Sequence, residues 1–326
     1  MPVSRRGATA ALLGSAFAPA LWAQSDAAGG YPVKPLRIVV PYPAGGFNDT
    51  LGRIVGVHLT AAWKQSAVVD NKPGAGTAIG TQAVATSLPD GYTLLVVQFP
   101  FAANPWLYKL PYDSDKAFDP VILAGRSPMV LVAHAGSPYR SAADVLVAAK
   151  AKPGAINYGT SGPGSSNHLA MVLFENLAGI RMDQIPYKGS TPMLTDLAGG
   201  QVAVAMDLLP NALPFIQSGK VRPLAIAGAQ RSPLMPEIPT AAEAGVAGYE
   251  VSSWHGIVVP AGTPKPVVDK LNREMNSILE MADVRKIFAQ QGVVPDGGTP
   301  AQFHRFIESQ KSLWKRVIQQ NHITAA

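Results

Sequence analysis

Short apolar runs alternate with amphipathic segments along almost the whole chain, and this alternation limits the possible folds more than any other feature. Eight runs have the length and composition of strands: residues 36–42, 66–71, 92–97, 129–134, 156–160, 202–207, 221–228 and 254–260. Helical patterns occupy residues 50–63, 76–87, 141–150, 165–178, 190–198, 239–244, 265–281 and 300–320. Strands that alternate with helices build parallel α/β sheets. The sequence therefore predicts an α/β protein.

The chain length favours two lobes. A chain of 326 residues is long enough for two α/β units of ordinary domain size. Because no low-complexity linker separates two halves, we expect the chain to pass between the lobes more than once. The runs VILAG (121–125) and LAIAGAQ (224–230) are the expected crossings. This predicts lobe 1 from residues 31–124 and 226–326, with residues 125–225 inserted as lobe 2.

The N-terminus has the order of a secretory signal peptide. Arg5 and Arg6 precede an apolar run from Ala8 to Ala20, and small residues lead to Ala23. This arrangement predicts a signal peptide over residues 1–23, with cleavage near Ala23. The alternative, a membrane anchor, needs about 20 apolar residues, and this run is shorter and interrupted by a glycine. We therefore expect an exported, periplasmic protein.

Composition excludes several classes of function. The chain has no cysteine, which excludes disulfides, thiolate metal sites and cysteine nucleophiles. The histidines show no metal-ligand spacing, and we expect neither a metal nor a cofactor. Removing Arg5 and Arg6 from the 27 basic residues leaves 25 against 21 acidic residues. These basic residues are scattered and form no run that could follow a phosphate backbone, so nucleic acid is not an expected partner.

The stretch PYPAGGFND (41–49) connects a predicted strand to a predicted helix. The first amides of a helix have no internal partners, and the helix dipole places partial positive charge there. Glycines allow a ligand to approach that backbone closely. We interpret this loop as an anion site built from main-chain donors, with Asp49 as the helix cap and Asn48 as a neutral side-chain donor.

A second stretch, NYGTSGPGSSNH (157–168), has the same design and falls in the other predicted lobe. A loop from Thr160 to Ser166 leads into a helix that carries His168. Two such loops on facing lobes would hold a dicarboxylate or an amino acid from both sides. The alternative for each loop is a purely structural strand-to-helix turn, which is common in α/β proteins.

Three enzyme signatures fail at a defining position. The dinucleotide-binding pattern lacks its third glycine, since Asn167 stands there in GPGSSN, and no loop has the Gly-Lys-Ser/Thr of a P-loop. A nucleophile elbow centred on Ser161 would need a glycine where Pro163 stands. We therefore expect binding without catalysis. The alternative is a hydrolase or lyase that uses Ser161 with His168.

Successive segments of the chain resemble one family. The segments are PYPAGGFND, NKPGAGTAIG, LPDGYTLL, NPWLYKLPYD, NYGTSGPGSSNHLA, PYKGSTPMLTDLAGGQV and GKVRPLAI, in this order from about residue 31 onward. They resemble the solute receptors of tripartite tricarboxylate transporters, the Bordetella uptake gene (Bug) family. The resemblance implies a type II-like periplasmic-binding-protein fold, in which two lobes with mostly parallel sheets flanked by helices are joined by a hinge.

The resemblance also implies a function. The family's receptors capture a small carboxylate with main-chain amides and ordered water, and they deliver it to a membrane permease. A sensor kinase is the alternative partner. The positions that match the family's ligand loops, together with the strand-end positions that face the cleft, give the predicted ligand-binding set: Tyr42, Ala44, Gly45, Gly46, Phe47, Asn48, Asp49, Gln98, Thr160, Ser161, Gly162, Gly164, Ser165, Ser166, His168 and Asp207.

Some pocket positions depart from the family pattern. Thr77 stands where the family commonly has glycine, and Leu208 replaces the commoner asparagine after Asp207. Gln98 is also unusual at its strand end. Asp207 itself could meet a ligand ammonium or only cap the following turn. The sequence therefore leaves the identity of the carboxylate open.

Overall fold

The computed structural model describes residues 30–324. Predicted signal-peptide residues 1–23 lie outside the described part. The elements in chain order are β1 (Leu36–Val40), α1 (Phe47–Trp63), β2 (Ala67–Asn71), a 3-10 turn (Ala75–Thr77), α2 (Ala78–Ala85), β3 (Thr93–Gln98), α3 (Pro100–Leu107), β4 (Phe118–His134), α4 (Ala142–Ala151), β5 (Asn157–Thr160), α5 (Ser166–Ala178), β6 (Asp183–Pro186), α6 (Ser190–Ala198), β7 (Val204–Leu208), α7 (Leu209–Gln217), β8 (Val221–Ile226), β9 (Ser252–Pro260), α8 (Lys265–Glu280), α9 (Ala282–Gln290), β10 (Val294–Gly297) and α10 (Pro300–Gln320). Within residues 30–324, no helix combines the length and hydropathy needed to cross a membrane.

The long strand β4 joins two groups of strands. The main path of the sheet runs β2-β1-β3-β9-β4-β7-β5-β6, and β8 and β10 pair with β4 beside that path. The first part of β4 pairs with β9 and β10, whereas residues 129–134 pair with β7 and β8. The pairings among β1, β2 and β3 and among β5, β6 and β7 are parallel. One strand therefore belongs to both groups.

The carboxyl ends of parallel strands mark the two loops of interest. The loop after β1 leads into α1, and the loop after β5 leads into α5. The strands β3 and β7 end beside them, at Gln98 and Leu208. Ligands of open α/β sheets collect at this edge, because the following helices begin there.

One apolar core continues across both strand groups. Trp254, Phe303 and Trp314 on β9 and α10 belong to the same cluster as Phe174 on α5 and Leu131 on β4. On the α5 side, Tyr249 completes the cluster: it packs edge-on against Phe174 and donates its hydroxyl to the carbonyl of Ala170. Burial of this much apolar side chain is the main stabilising term of the fold.

The helices α4 and α10 begin at the N-cap residues Ser141 and Thr299. Each residue forms a capping box, Ser141 with Asp144 and Thr299 with Gln302. The buried face of α10 is apolar except for one charged residue. Lys311 is buried on that face, where its Nζ donates to the Ser114 carbonyl and to Asp115.

Several element predictions were wrong. The structure has no helix at residues 239–244, where Thr240 and Glu243 exchange capping hydrogen bonds but the chain leaves the turn at Gly245 (φ 110°). The predicted helix at 50–63 begins three residues earlier, at Phe47. Sequence analysis missed β6, β10, α3, α7 and α9. The helices α3 and α7 each contain an internal proline, which removes a hydrogen-bond donor and hides the pattern.

We predict that Gly256→Ala destabilises the protein by roughly 1–3 kcal/mol, the usual range for overpacking a core. A Cβ at Gly256 would overlap the ring of Phe303 and lie 2.9 Å from the carbonyl oxygen of Ile122. The control is Gly199→Ala, whose Cβ would meet nothing closer than 3.5 Å. Urea unfolding measures both variants, and equal midpoints for the two would contradict the packing described for β9.

Candidate functional site

The loop after β1 leaves backbone amides free at the start of α1. Gly46 is the N-cap residue and has no side-chain capping bond. The first helical bond runs from the Thr50 amide to the Gly46 carbonyl at 3.0 Å. Among residues 30–324, no acceptor bonds the amides of Phe47 or Asn48. Two free N–H groups at a helix N-terminus are the arrangement that the predicted anion site requires.

Asp49 holds this loop and does not cap the helix, so that prediction was wrong. It occupies the third helical position, and its Oδ2 accepts the Gly45 amide at 3.0 Å and Arg53 Nε at 3.0 Å. Its Oδ1 accepts Asn71 Nδ2, which also donates to the Tyr42 carbonyl. The bond from Arg53, with the Gly45 and Asn71 bonds, holds the pKa of Asp49 below its usual value. An ionised Asp49 therefore stabilises the loop.

Asn48 points into the protein and bonds two other strands. Its Nδ2 donates to Gln98 Oε1 at 3.1 Å, and its Oδ1 lies 2.8 Å from His255 Nδ1. Gln98 in turn donates to Ser253 Oγ at 3.0 Å. Asn48 is 7% exposed. Its side chain therefore positions the first turn of α1, while the neighbouring backbone amides remain free.

The loop after β5 is organised around Asn167. This side chain is 1% exposed, and its Oδ1 accepts the Ser161 amide at 3.1 Å, the Ser161 hydroxyl at 2.9 Å and the Ser165 hydroxyl at 2.6 Å. Ser165 is the N-cap of α5 and accepts the His168 amide. In the described chain, the amides of Ser166 and Asn167 have no acceptor. Sequence analysis missed Asn167 as a site residue.

The two loops share the same local hydrogen-bonding arrangement. In each, a glycine with positive φ precedes the N-cap, Gly45 at 96° and Gly164 at 71°. The glycine amide donates to the side chain four residues later, to Asp49 in the first loop and to His168 Nδ1 at 3.0 Å in the second. Both helices also carry a buried asparagine at their second position. This arrangement fixes each turn without occupying its first two helical amides.

His168 is a neutral hydrogen-bond acceptor. Burial lowers its pKa to about 4, and its Nδ1 accepts the Gly164 amide. Ser161 donates its hydroxyl to Asn167. A nucleophile and its base need a direct hydrogen bond of roughly 2.6–3.2 Å. Ser161 and His168 make no such bond in this structure, so the geometry does not favour the hydrolase alternative.

Asp207 lies at the end of β7 and is 2% exposed. Its Oδ1 accepts the Leu208 amide at 2.7 Å and Asn211 Nδ2 at 3.3 Å, while Oδ2 is buried without a partner in the described residues. Burial raises the pKa of Asp207 to about 6. The contacts of Oδ1 fit the structural alternative, a cap on the turn into α7.

The remaining predicted residues fall into two separate groups. Tyr42 and Ala44 lie on the first loop, and Ala44 is exposed. Thr160 is fully buried, where its Oγ1 accepts Gln184 and its carbonyl accepts the Tyr187 amide. The Gly162 carbonyl accepts the Ser165 amide at 3.2 Å. In the described chain, no hydrogen bond joins the first loop to the second. The described residues also contain no cluster of three or more potential metal ligands.

Comparison with known proteins identifies the family. The family model for the tripartite tricarboxylate transporter family receptor matches residues 51–323. The chain belongs to this receptor family. The predicted resemblance to the Bug family is confirmed, because the chain is similar to the periplasmic binding protein BugD, with 33% identity, a TM-score of 0.72 and coverage of 90% of this chain and 99% of BugD.

The chain is also similar to two structures that were solved with carboxylates. Rpa4515 of R. palustris with adipate is 36% identical, with a TM-score of 0.76 and coverage of 90% of this chain and 99% of that one. MatC of Rhodopseudomonas palustris with bound malate is 31% identical, with a TM-score of 0.72 and coverage of 88% and 100%. These similarities confirm the predicted two-lobe periplasmic-binding-protein fold for this receptor.

We predict that Asp49→Asn lowers the urea midpoint at pH 7 and that the difference from wild type narrows below pH 4. Because the folded pKa of Asp49 is depressed, the carboxylate stabilises the fold above its unfolded pKa of about 3.9. This contribution is lost as the pH falls through the folded pKa. Asp269→Asn is the control, since it removes only an exposed helical ion pair with Lys265. A constant difference from pH 7 to pH 3 would contradict the assigned role.

Proposed function

We propose that this receptor is an exported periplasmic protein that captures a small organic carboxylate and delivers it to the membrane permease of a tripartite transporter. The observation that carries the proposal is the pair of loops with free amides at Phe47, Asn48, Ser166 and Asn167. The family relation and the adipate and malate complexes of its relatives support the ligand class.

Neutral donors would hold the carboxylate. Neither loop, residues 41–49 or 157–168, contains lysine or arginine. Backbone amides that bond an anion make charge-assisted hydrogen bonds, which are stronger than bonds between neutral groups. The dipoles of α1 and α5 add partial positive charge at both helix starts. The binding chemistry therefore suits a small anion, and the adipate and malate complexes of similar proteins favour a carboxylate.

The lobes would close around the ligand by a hinge motion. We propose lobe 1 as residues 31–124 and 226–326 and lobe 2 as residues 125–225, since β4 changes its pairing partners soon after residue 125. Tyr249, in the segment between β8 and β9, contacts Ala170 and Phe174 of α5, which places this segment at the proposed seam between the two. A ligand that bonds both loops stabilises the closed state by its contacts with each lobe.

The proposed binding chemistry is tested by removing one amide. Ser166 is the first residue of α5, where proline is tolerated because its missing N–H has no helical partner. Its predecessor Ser165 has the extended backbone (φ −66°, ψ 161°) that a following proline requires. Ser166→Pro therefore deletes one amide donor and leaves the helix intact.

We expect purified wild-type protein to bind adipate or malate in a calorimetric titration, and Ser166→Pro to weaken that binding about tenfold or more, the effect of one charge-assisted hydrogen bond. Ser166→Ala is the matched control, since it retains the amide and should bind as wild type does. Failure of wild type to bind either dicarboxylate, or equal affinities for the proline and alanine variants, would contradict the proposal.

A further inference from the structure

A ring of five polar side chains lies where the first binding loop meets the strands that join the lobes. Its members are Asn48 on α1, Gln98 on β3, Ser127 on β4, and Ser253 and His255 on β9. Four are almost fully buried, and Gln98 is half-buried. Buried polar groups of this kind are costly unless each one is bonded. The ring therefore specifies one arrangement of these elements.

The hydrogen bonds of the ring run in one direction. The Ser127 hydroxyl donates to His255 Nε2 at 3.1 Å, and His255 Nδ1–H donates to Asn48 Oδ1 at 2.8 Å. Asn48 Nδ2 donates to Gln98, and Gln98 Nε2 donates to Ser253. Asn48 Nδ2 faces Gln98, so the Asn48 oxygen faces His255 and can only accept a hydrogen bond. His255 therefore carries its proton on Nδ1, and its Nε2 is the acceptor. Burial lowers the pKa of His255 to about 3, so the imidazole is neutral and Nε2 can accept.

The strand register brings the two ends of this series of hydrogen bonds, Ser127 and Ser253, next to each other. These two residues are direct partners across β4 and β9, and Gln98 is the partner of His255 across β3 and β9. Partners in a sheet present their side chains on the same face. A β-bulge between Leu123 and Gly125 lies opposite His255, and bulges of this kind re-aim neighbouring side chains near functional sites.

His255 contacts the start of α1 in a second way. Its ring packs edge-on against Phe47, with centroids 4.5 Å apart, and Phe47 also packs against Phe288. The side chains of Phe47 and Asn48, the first two residues of α1, therefore both contact the imidazole of His255. The amides of these same residues are the free donors of the first loop.

We propose that His255 is a positioning residue for ligand binding, which aims the free amides of Phe47 and Asn48 and couples this turn to β4 through Ser127. The inference rests on the proposed function, since it concerns the same loop. In β4, Ser127 is followed within three residues by Val130, the partner of Asp207 in the second strand group. A shift of the first turn on ligand binding would therefore reach the strand that both lobes share.

Two substitutions separate the two bonds of the imidazole. Asparagine at position 255 places an amide nitrogen near the Nδ1 position and retains a donor for Asn48. Glutamine places its terminal amide near the Nε2 position, so it retains a partner for Ser127 and loses the donor to Asn48. Each variant loses one buried hydrogen bond, so a merely structural role predicts equal effects on stability and on binding.

The experiment measures adipate and malate affinity by calorimetry, hydrogen exchange of the Thr50 amide in the ligand-free protein, and the urea midpoint. We expect His255→Gln to weaken binding about tenfold and to speed exchange at Thr50, whose bond to Gly46 closes the first turn. We expect His255→Asn to bind within about twofold of wild type. His304→Asn, on an exposed helix position, is the control for changes unrelated to the ring.

Equal weakening by the asparagine and glutamine variants, or wild-type affinity in His255→Gln, would overturn the positioning role. A wild-type protein that binds neither dicarboxylate overturns the proposed function instead. In that case, the difference in Thr50 exchange between the two variants still decides whether His255 holds the first turn.

Discussion

Both proposed binding loops depend on one constraint: a helix can offer its first amides to a ligand only if something other than those amides fixes its start. Here the third helical side chain reaches back to the amide of the glycine before the N-cap. Asp49 does so with Gly45, and His168 does so with Gly164. The two acceptors differ in chemistry, one an ionised carboxylate and the other a neutral imidazole. The common geometry is what leaves the first two amides free.

The same constraint explains the buried asparagines. Asn48 and Asn167 occupy the second position of their helices, and each uses its side chain to hold its turn from inside the protein. A binding surface made of backbone needs this internal support, because a main-chain donor cannot change its rotamer to meet a ligand. Preorganised donors lose little entropy on binding.

The lobes are not independent units. The strand β4 belongs to both groups, and one apolar core extends from α10 to α5. Leu107, at the end of α3, also lies against the second loop at Gly164. The proposed hinge closure would have to preserve this packing, so we expect a limited rotation about β4 and β9 in which the shared core stays intact.

Local sequence patterns predicted the strand-to-helix alternation and both glycine-rich loops, because these signals arise within ten to twenty residues. The roles of individual side chains were less predictable. Asn48 and His255 are 207 residues apart in the chain, and nothing in their spacing indicates contact. Asp49 was expected to cap α1, yet the helix begins before it. The helix α3 was hidden by Pro100 and Pro105, and its position was set by packing against α10 and the 3-10 turn.

The most direct test of this account is the ¹⁵N–¹H NMR spectrum of the protein titrated with adipate or malate. An anion held by peptide N–H groups moves those amide proton signals downfield. The account predicts that the largest shifts belong to Phe47, Asn48, Ser166 and Asn167, at both helix starts together. Shifts confined to one loop, or centred on residues away from both, would contradict it.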